Sequence, residues 1–514
     1  DWGYVTLVAS DSDRDKGRWQ SMFDQMRRLH LIPLVRLATH PASSGWVKPN
    51  PETFNELVTL FNSLNWPTEN RYIILYNEPN HAKEWGGALD PEGYANIAVE
   101  LAKKFKQASP DFFMLPAGLD VSAASDGSSM DAAEYLRRMI AEKPEFLTIL
   151  DGWTSHSYPN PAFSGSPYAS GRGTLRSFDW ELSYLRNLGL TRDLPVFITE
   201  TGWTHNQGKV ARGLLSPETV GANLQIAAGS AWTDRRIAAV TPFLFNYQDV
   251  PFDNFSWKRL GNQGFYSQYG SYQSITKIKG LPKQKESYVL SGSILPSTLV
   301  TNSTYTLSTN IINKGQGILD PNNGYEVVLD DTRKGFTLIS DPLPTLEPQE
   351  KGEFVIHLKT PQEPGAYTLT LTIQHGDVSL PIQTRNVQLV PPPSIRVSGQ
   401  LGWRRTSDAQ DVTVLIYDKD TIVHKFTGLS MVNSAVNVSG LSNILPDNLY
   451  RVVILVPSYL PRQSILRLNA TTTLVGMKRL YPFDINKDGK LTIFDIWTLL
   501  TKPPHNMLGL FVGP

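Results

Sequence analysis

The sequence predicts a multidomain protein in which a (β/α)8 TIM barrel is followed by two all-β domains and a short EF-hand-like calcium segment. The chain has 514 residues, which is more than one ordinary domain contains. Up to about residue 280, short β-branched runs alternate with amphipathic stretches, as is typical of βα units around a parallel sheet. From about residue 286 the apolar residues alternate as they do in strands with one buried face.

The predicted barrel contains seven candidate strands, whereas a closed barrel of this type has eight. The candidates lie at Tyr4–Ala9, Ile32–Leu37, Tyr72–Tyr76, Phe112–Ala117, Gly152–Ser157, Val196–Thr199 and Val240–Asn246. We find no further candidate between them, so the unaccounted strand is expected before Asp1. Either the chain is a fragment, or another segment closes the barrel.

The helices between these strands are predicted from apolar residues at helical spacing. Two examples are the stripe Trp19, Met22, Phe23, Met26 and Leu29, and the stripe Phe54, Leu57, Leu60, Phe61 and Leu64. Both stripes are interpreted as core positions. The barrel is therefore assigned to residues 1–282.

Two β-domains are predicted after the barrel. Runs at Tyr305–Asn310, Tyr325–Leu329, Glu353–Leu358 and Tyr367–Ile373 indicate an Ig-like β-sandwich over residues 286–390, whose default interpretation is a spacer. The stretch Pro391–Pro393 is predicted to be a stiff linker. Runs at Ile395–Leu401, Val412–Tyr417, Thr421–Thr427 and Arg451–Val456 indicate a smaller β-sandwich over residues 394–478, and the calcium segment follows at residues 481–514.

The composition excludes several classes of partner. Lys and Arg together number 48, as do Asp and Glu, so we expect neither nucleic acid nor an anionic membrane surface as a partner. The absence of cysteine excludes disulfides and thiolate metal sites but does not fix the compartment. No apolar run approaches the roughly 20 residues of a membrane helix. The 12 Trp and 20 Tyr residues slightly favour a sugar-binding protein, because sugar rings are often held on aromatic faces.

Two glutamates end predicted barrel strands in the same way. The run 71–80 ends in Asn77-Glu78-Pro79, where proline stops a buried strand as the acid emerges. The run 195–203 places Glu200 in the same position three strands later. Because the C-terminal ends of barrel strands form one rim, the two acids are predicted to face one pocket.

A pair of rim carboxyl groups has the composition that hydrolysis of a glycosidic bond requires. One carboxyl protonates the leaving oxygen, and the other attacks or stabilises the anomeric carbon. A separation of about 5–5.5 Å predicts retention through a covalent glycosyl-enzyme, whereas about 6.5–9.5 Å predicts inversion.

With these motifs, residues 1–280 resemble the clan A glycoside hydrolases, a group of retaining TIM-barrel enzymes. In that group Asn-Glu-Pro at the fourth strand carries the acid/base, and a glutamate on the seventh strand is the nucleophile. The resemblance implies that Glu78 is the acid/base, Glu200 the nucleophile and Asn77 a partner of the substrate 2-hydroxyl. It also implies that Tyr4–Ala9 is the second strand and that the unaccounted strand is the first.

The same resemblance assigns three supporting residues. Arg36 would orient the nucleophile, and His156 and Tyr158 in the run 155–159 would line the site and contact the nucleophile. Each of these residues can also be interpreted as having a purely structural role. A glutamate at a strand end can be a surface charge or a loop cap, His156 can be a core histidine, and Arg36 can belong to a structural ion pair.

Other residues of the predicted rim are candidates for a sugar platform or a polar contact. They are Trp203, Asn246, Tyr247, Asp249, His40, Trp85 and Asp120. Trp203, which follows the nucleophile by three residues, is the preferred one.

A calcium-loop pattern occupies residues 484–495. Oxygen-bearing side chains stand at its positions 1, 3, 5, 9 and 12, and Gly489 stands at the sixth position, where the loop turns sharply. The predicted ligands are Asp484, Asn486, Asp488, Lys490 through its carbonyl oxygen, Thr492 directly or through water, and Asp495. The last position holds aspartate in place of glutamate, which shortens the reach of the side chain toward the ion. The alternative is a solvated loop that holds no metal.

The calcium loop continues as a predicted short helix at Asp495–Leu500. Loop and helix together resemble half of a dockerin, the module that docks polysaccharide-degrading enzymes onto cohesins, which implies a cohesin-like or cell-surface partner. Dockerins of that type carry two loops, and the residues after Lys502 contain no second one. A calcium-stabilised end to the preceding β-domain is an equal alternative.

The leading hypothesis is a secreted or cell-surface glycosidase that cleaves β-linked poly- or oligosaccharides with retention and uses no cofactor for catalysis. The alternative is a non-catalytic sugar-binding or surface-adhesion protein built on a glycosidase-like barrel. In a third hypothesis the β-modules carry an adhesive or structural activity.

Overall fold

The computed structural model of the chain describes residues 2–43, 45–210, 214–278 and 280–501, without the side chains of Asn262 and Leu499. The chain divides into two compact units at Lys285 and Glu286. Among the described residues, no helix is long and apolar enough to cross a membrane.

The first unit alternates strands and helices. Its strands are β1 Gly3–Ser10, β2 Leu31–Ala38, β3 Pro41–Ala42, β4 Gly45–Trp46, β5 Arg71–Leu75, β6 Phe112–Pro116, β7 Trp153–His156, β8 Val196–Glu200 and β9 Ile237–Val240. Its helices are α1 Lys16–Arg28, α2 Phe54–Asn62, α3 Pro91–Ala108, α4 Ala132–Glu142, α5 Phe146–Ile149, α6 Ser177–Asn187, α7 Pro217–Gly229 and α8 Ser267–Gln273. Strands β3 and β4 form a small antiparallel pair, and the other strands pair in parallel.

The parallel strands form two sheets around a common interior. One sheet has the order β1-β2-β5-β6 and the other β7-β8-β9. Tyr4, Tyr72 and Phe113 of the first sheet meet Phe197 of the second in an aromatic cluster whose ring centroids lie 4.9–6.0 Å apart. The two sheets therefore bury their inner faces against each other.

The two sheets are joined by local hydrogen bonds rather than by further ladders. Between β6 and β7, the backbone N–H of Asp151 donates to the carbonyl of Met114 at 2.9 Å, and the hydroxyl of Thr154 donates to the carbonyl of Pro116 at 2.6 Å. Between β9 and β1, the hydroxyls of Thr6 and Thr241 lie 2.8 Å apart. The described part of this unit thus shows seven parallel strands, and the eight-stranded barrel stays a prediction.

The helices cover the outside of the strands, and side-chain caps fix where several of them begin. Asp15 accepts a hydrogen bond from the backbone N–H of Arg18 at the start of α1, and Ser216 caps α7, where Pro217 occupies the first turn. The stripe predicted on α1 is buried at Trp19, Phe23 and Met26. Leu29 is an exception, because it follows the last residue of the helix and is 69 % exposed.

The last strand of the first unit lies earlier than predicted. The prediction placed it at Val240–Asn246, whereas β9 covers Ile237–Val240. The physical reason is Pro242, which has no N–H to donate to a ladder, so the chain leaves the sheet before it. The residues after Val240 form a loop instead.

The second unit consists almost entirely of strands. They are β10 Tyr288–Leu290, β11 Thr298–Val300, β12 Thr304–Asn313, β13 Tyr325–Asp331, β14 Thr337–Ser340, β15 Lys351–Lys359, β16 Gly365–His375, β17 Val378–Val390, β18 Ser394–Ser398, β19 Ala409–Asp418, β20 Thr421–Met431, β21 Ala435–Val438, β22 Leu449–Leu455, β23 Arg462–Arg467 and β24 Thr472–Gly476. Helix α9 follows at Ile493–Thr501.

These strands form two sandwiches, and Val300 of the first packs in the core of the second. The first pairs the sheets β10-β12-β15-β14 and β11-β17-β16-β13, and the second pairs β21-β18-β24 and β20-β19-β22-β23. The sandwiches touch each other, because the hydroxyl of Tyr305 donates to the carbonyl of Ile444 at 2.9 Å and Asn443 accepts from the backbone N–H of Thr304 at 2.8 Å. The predicted strand at Ile395–Leu401 is shorter and ends at Ser398.

The packing of α1 gives a test of the first unit. Phe23 is fully buried and lies 4.7 Å from the Trp66 ring centroid, so Phe23→Ala is expected to lower the free energy of unfolding by about 3–5 kcal/mol. The exposed Leu29 is the matched control, and Leu29→Ala is expected to change it by less than about 0.5 kcal/mol. Urea unfolding of the full chain, followed by tryptophan fluorescence, measures both. Equal losses in the two variants would contradict the assigned core.

Candidate active site

A cavity of about 830 Å³ lies at the C-terminal ends of the parallel strands. Glu200 is the last residue of β8, and Glu78 follows β5 by three residues. Both line the cavity, as do Arg36, Asn77 and Tyr158. The structure therefore brings together the two glutamates and most of the supporting residues that the sequence predicts.

Both oxygens of the Glu200 carboxylate have a partner. Arg36 on β2 forms an ion pair with Oε1, and the Tyr158 hydroxyl donates to Oε2 at 3.0 Å. The same Arg36 nitrogen, Nη1, donates to Oδ1 of Asn77 at 2.7 Å. These contacts fix the orientation of the Glu200 carboxylate and tie it to the loop that carries Glu78.

His156, the last residue of β7, lies between the two glutamates. Its Nδ1 is 2.8 Å from Oε1 of Glu78 and 3.7 Å from Oε2 of Glu200. The imidazole side chain is only 1 % exposed. One oxygen of each glutamate and Nδ1 all lie within 4.8 Å of one another. The two carboxyl groups are thus close neighbours across the cavity.

The electrostatics of the site favour an ionised Glu200. Burial by itself raises the pKa of Glu200, but the charges of His156 and Arg36 and the hydrogen bonds from Arg36 and Tyr158 outweigh it and lower the pKa. Burial by itself lowers the pKa of His156, but Glu200 and Glu78 outweigh it and raise the pKa. Burial, and next the charge of Glu200, raise the pKa of Tyr158 well above its usual value, so its hydroxyl remains a donor.

The backbone around Glu78 is held in an uncommon conformation. Tyr76 has φ of 76° and Glu78 has φ of 31°, both in the left-handed region, which costs of order 1–3 kcal/mol for each such residue. Asn80 holds the loop from behind, because its buried amide donates to the carbonyls of Asp120 and Met130 at 2.9 and 3.2 Å. The loop is therefore fixed by contacts outside the cavity.

Gly118 makes room for His156. A Cβ atom at this position would lie 2.2 Å from the imidazole, closer than any side-chain atom tolerates. Gly118 also accepts, through its carbonyl, the backbone N–H of Glu78 at 3.1 Å. The glycine thus lets β6, the histidine and the Glu78 loop approach each other.

The sequence reasoning missed several cavity residues of the same loop. His81 pairs through Nε2 with Asp120 at 3.0 Å, and both line the cavity with Lys83 and Glu84. The hydrogen bond that His81 donates to Asp120 is the largest cause that raises the pKa of His81. Burial, and next the charge of Glu78, raise the pKa of Glu84. His81, Lys83 and Glu84 could have been found from the sequence, because they follow Glu78 closely. Asp120 was already a candidate of the predicted rim.

Trp203 is not brought to the cavity. It is 2 % exposed, packs in a core with Leu175, Val220 and Leu224, and donates its indole N–H to the carbonyl of Gly165 at 2.8 Å. Trp46, Phe163 and Phe252 supply aromatic rings to the cavity instead.

The remaining candidates of the predicted rim also lie away from the cavity lining. Trp85 is buried between Tyr76 and Tyr94, with ring centroids 5.7 and 5.3 Å away. His40 pairs with Asp11 at 3.1 Å, and Asp249 pairs with Lys209 at 2.9 Å. Asn246 and Tyr247 are exposed.

Glu78, His156 and Glu200 also have the composition of a metal site. Arg36 already neutralises Glu200, however, and the raised pKa of His156 favours its protonated form. Two positive groups at the same place oppose the binding of a further cation. The arrangement suits acid–base and nucleophilic chemistry better than metal ligation.

The calcium-loop pattern in the second unit folds as a tight loop before α9. Oxygen atoms of Asp484, Asp488 and Asp495 lie within 4.8 Å of one another, and Gly489 has φ of +79°. Asn486 contacts Asp488 at 2.9 Å, and the Thr492 hydroxyl donates to Asp495 at 3.1 Å. Lys490 donates its backbone N–H to Asp488 at 2.8 Å, and the predicted segment beyond Thr501 lies outside the described residues.

The opposite pKa shifts of Glu200 and His156 give a pH test. The contribution of Glu200 is fully present above its ordinary pKa of 4.5 and is lost as the pH falls through the lowered value. The contribution of His156 is fully present below 6.5 and is lost as the pH rises through the raised value. The stability difference between wild type and Glu200→Gln is therefore expected to be largest between pH 4.5 and 6.5. Urea unfolding across the pH range measures it, and a difference independent of pH would contradict the coupling.

Comparisons with known proteins show distant structural neighbours only. No protein-family model and no curated protein matches the chain. Among solved structures, a family 39 glycoside hydrolase from Bacteroides cellulosilyticus WH2 is 12% identical with a TM-score of 0.39, over 70% of this chain and 75% of its own. A beta-glucuronidase from Bacteroides uniformis is 10% identical with a TM-score of 0.35, over 86% of this chain and 60% of its own.

An FMN-binding beta-glucuronidase from Faecalibacterium prausnitzii L2-6 is 12% identical with a TM-score of 0.32, over 72% of this chain. The matched part is 49% of that structure, so the chain spans about half of its length. TM-scores this low do not establish a shared fold, and the function of the chain is therefore argued from the geometry of the cavity.

Proposed function

We propose that the first unit is a glycosidase that cleaves its substrate with retention of configuration. The observation that carries this proposal is the distance between the two carboxyl groups: one oxygen of Glu78 and one of Glu200 lie within 4.8 Å of each other in one cavity. Carboxyl groups about 5–5.5 Å apart are typical of retention, and inversion needs about 6.5–9.5 Å to admit a water. The observed spacing supports retention.

The environments of the two acids support different roles. Glu200 has a lowered pKa and both of its oxygens are held, so it is suited to attack the anomeric carbon as a carboxylate. Glu78 donates a proton to the leaving oxygen as the bond between that oxygen and the anomeric carbon breaks. The product of this step is a glycosyl ester of Glu200 and a free alcohol.

The second half of the reaction uses the same groups in reverse. Glu78 removes a proton from a water molecule, and the water oxygen attacks the anomeric carbon. The ester bond then breaks, which releases the sugar and restores the Glu200 carboxylate beside Arg36. His156 bonds to Glu78 and keeps its carboxyl oriented toward the shared space. Two displacements on opposite faces give net retention.

Substitution of the two acids tests the proposal. Glu200→Gln removes the nucleophile and is expected to abolish turnover, whereas Glu78→Gln is expected to lower kcat by about 10²–10⁴-fold for substrates with poor leaving groups. Nitrophenyl glycosides of a panel of sugars provide the assay, and NMR of the first-formed product gives the anomeric configuration.

Glu56→Gln, an exposed change on α2, is the matched control for these variants and leaves turnover intact. Unchanged turnover in Glu200→Gln would remove Glu200 as the nucleophile. Sugar binding by the wild type without turnover would favour the non-catalytic alternative. An inverted product would refute retention.

We also propose that residues 484–495 hold a structural calcium ion. The support is the convergence of three carboxylates, two of them buried, at the spacing that calcium loops use. Burial by itself raises the pKa of Asp495, but hydrogen bonds from Thr492, Asn486 and Ile485 outweigh it and lower the pKa. Asp484 and Asp488 supply further oxygens, which are the ligands that calcium prefers. The extracellular location and the cohesin-like partner stay predictions.

Calcium removal tests this second site. In calorimetry of the full chain, excess calcium is expected to raise the Tm of the transition assigned to the second unit, and chelation is expected to reverse the shift. Asp488→Ala is expected to abolish the response, while the exposed Asp420→Ala keeps it. Equal thermograms with calcium and with chelator would refute the site.

A further inference from the structure

The side of the cavity that receives the leaving group follows from the proposed displacement. Glu200 attacks the anomeric carbon from one face, so the bond to the leaving oxygen breaks on the opposite face, where Glu78 donates its proton. The leaving group therefore extends from Glu78 away from Glu200. The cavity residues on this side, which we name the leaving-group wall, are Trp46, His81, Lys83, Glu84 and Asp120.

The leaving-group wall is continuous with the loop of Glu78. The backbone N–H of His81 donates to the carbonyl of Glu78 at 2.9 Å, and that of Glu84 donates to the carbonyl of His81 at 3.0 Å. The hydrogen bond to Asp120 raises the pKa of His81 most, and the charge of Glu78 raises it as well. The imidazole of His81 therefore lies close to the proton donor and on the same loop.

His81 and Asp120 form a polar pair that solvent can reach. Nε2 of His81 lies 3.0 Å from Oδ2 of Asp120, and the two side chains are 21% and 33% exposed. Asp120 is held in place, because its Oδ1 accepts the backbone N–H of Ser122 at 2.9 Å and its own backbone N–H donates to Oδ1 of Asn80 at 3.2 Å. Since Asp120 occupies Nε2, Nδ1 is the ring nitrogen that can bond to a ligand. The pair is therefore suited to bind a hydroxyl group that enters the cavity.

Trp46 adds an aromatic ring to the same wall. It belongs to the β3–β4 hairpin, and its carbonyl accepts the backbone N–H of Gly86 at 2.8 Å. Gly45, with φ of +118°, allows the hairpin to approach, because a Cβ atom there would lie 2.1 Å from the carbonyl oxygen of Lys83. The hairpin thus holds the half-buried indole beside the segment that carries His81.

An aromatic ring next to hydrogen-bonding groups is the combination that a sugar requires. The carbon-bound hydrogens of a sugar ring pack on an aromatic face, while its hydroxyls need donors and acceptors. An alkyl leaving group would cover His81, Glu84 and Asp120 without bonding to them, and polar groups that lose water and gain no partner are costly. The leaving-group wall therefore favours a leaving group that carries hydroxyls.

We propose that the leaving group is itself a sugar, whose ring packs on Trp46 and whose hydroxyls bind the His81–Asp120 pair. This inference rests on the glycosidase function proposed above. In the second half of the reaction, the same wall holds a sugar acceptor in place of water. Glu78 takes the proton of an acceptor hydroxyl, the hydroxyl oxygen attacks the anomeric carbon, and the ester bond to Glu200 breaks. The products are a new glycoside and the free Glu200 carboxylate.

Competition between acceptors for the glycosyl-enzyme tests this sugar site. The wild type is given a nitrophenyl glycoside that it hydrolyses, together with ethanol or with a methyl glycoside of glucose, galactose or xylose, and NMR measures the products. Per mole of acceptor, the best methyl glycoside is expected to capture the intermediate at least about tenfold more often than ethanol. Trp46→Ala and His81→Ala are each expected to bring this ratio toward one. His40→Ala removes the histidine of another His–Asp pair, outside the cavity lining, and keeps the ratio.

The capture ratio reports on the leaving-group wall alone. Both kinds of acceptor react with the same intermediate and use Glu78 as the base, so changes in the formation of the intermediate or in the pKa of Glu78 cancel. Circular dichroism shows whether the alanine variants are folded. A wild type in which no methyl glycoside exceeds ethanol, or a ratio that survives in both alanine variants, overturns the sugar site and leaves the glycosidase function intact. Failure to hydrolyse any nitrophenyl glycoside refutes the proposed function itself.

Discussion

The ion pair between Arg36 and Glu200 is the interaction on which the geometry of the cavity depends. Both side chains are largely shielded from water, at 15% and 11% exposure, and an unpaired charge in such a place costs several kcal/mol. Arg36 offsets this cost for Glu200 and also donates to Asn77. One guanidinium thus fixes the distance between β2, the Glu78 loop and the end of β8.

The second constraint is the proximity of two carboxyl groups, which repel each other when both are charged. His156 lies between them and bonds to Glu78, while Arg36 and Tyr158 hold Glu200 from the other side. Because the two glutamates have different hydrogen-bond partners, they take different roles, and this difference matters more than the distance between their carboxyl groups. Gly118 contributes indirectly, because only a residue without Cβ leaves room for the imidazole.

Much of this arrangement was predictable because it follows from strand periodicity. Arg36, Glu78, His156 and Glu200 all lie on or just after parallel strands, and the C-terminal ends of such strands meet at one rim. Trp203 was not predictable in this way. Gly202, with φ of +135°, redirects the chain two residues after Glu200, and the tryptophan enters a core instead of the cavity.

The rest of the cavity lining lies on loops whose apolar residues show no regular spacing. Phe163 and Phe252 come from segments whose apolar residues follow no helical or strand spacing. Their ring contacts, Phe163 with Phe255 and Phe252 with Phe243, depend on how the loops fold. The same limit affected the last strand of the first unit, where the effect of Pro242 decided the boundary. Sequence patterns located the reacting groups, whereas the loop contacts that shape the substrate site needed coordinates.

The seam between β9 and β1 joins edge strands of the two parallel sheets. In the described part of the chain, the hydroxyls of Thr6 and Thr241 bond across the seam, and the side chains of β1 are mostly half-buried. Arg36 and Glu200 belong to β2 and β8, which have ladder partners on both sides, and Glu78 follows β5, which also has two. His156 ends β7, which pairs with β8 and is bonded to β6 through Thr154. The reacting groups therefore stand on strands whose positions the sheets determine. Thr241 at the seam donates to the carbonyls of Ile198 and Thr199 on β8, so changes at the seam reach Glu200 through this strand.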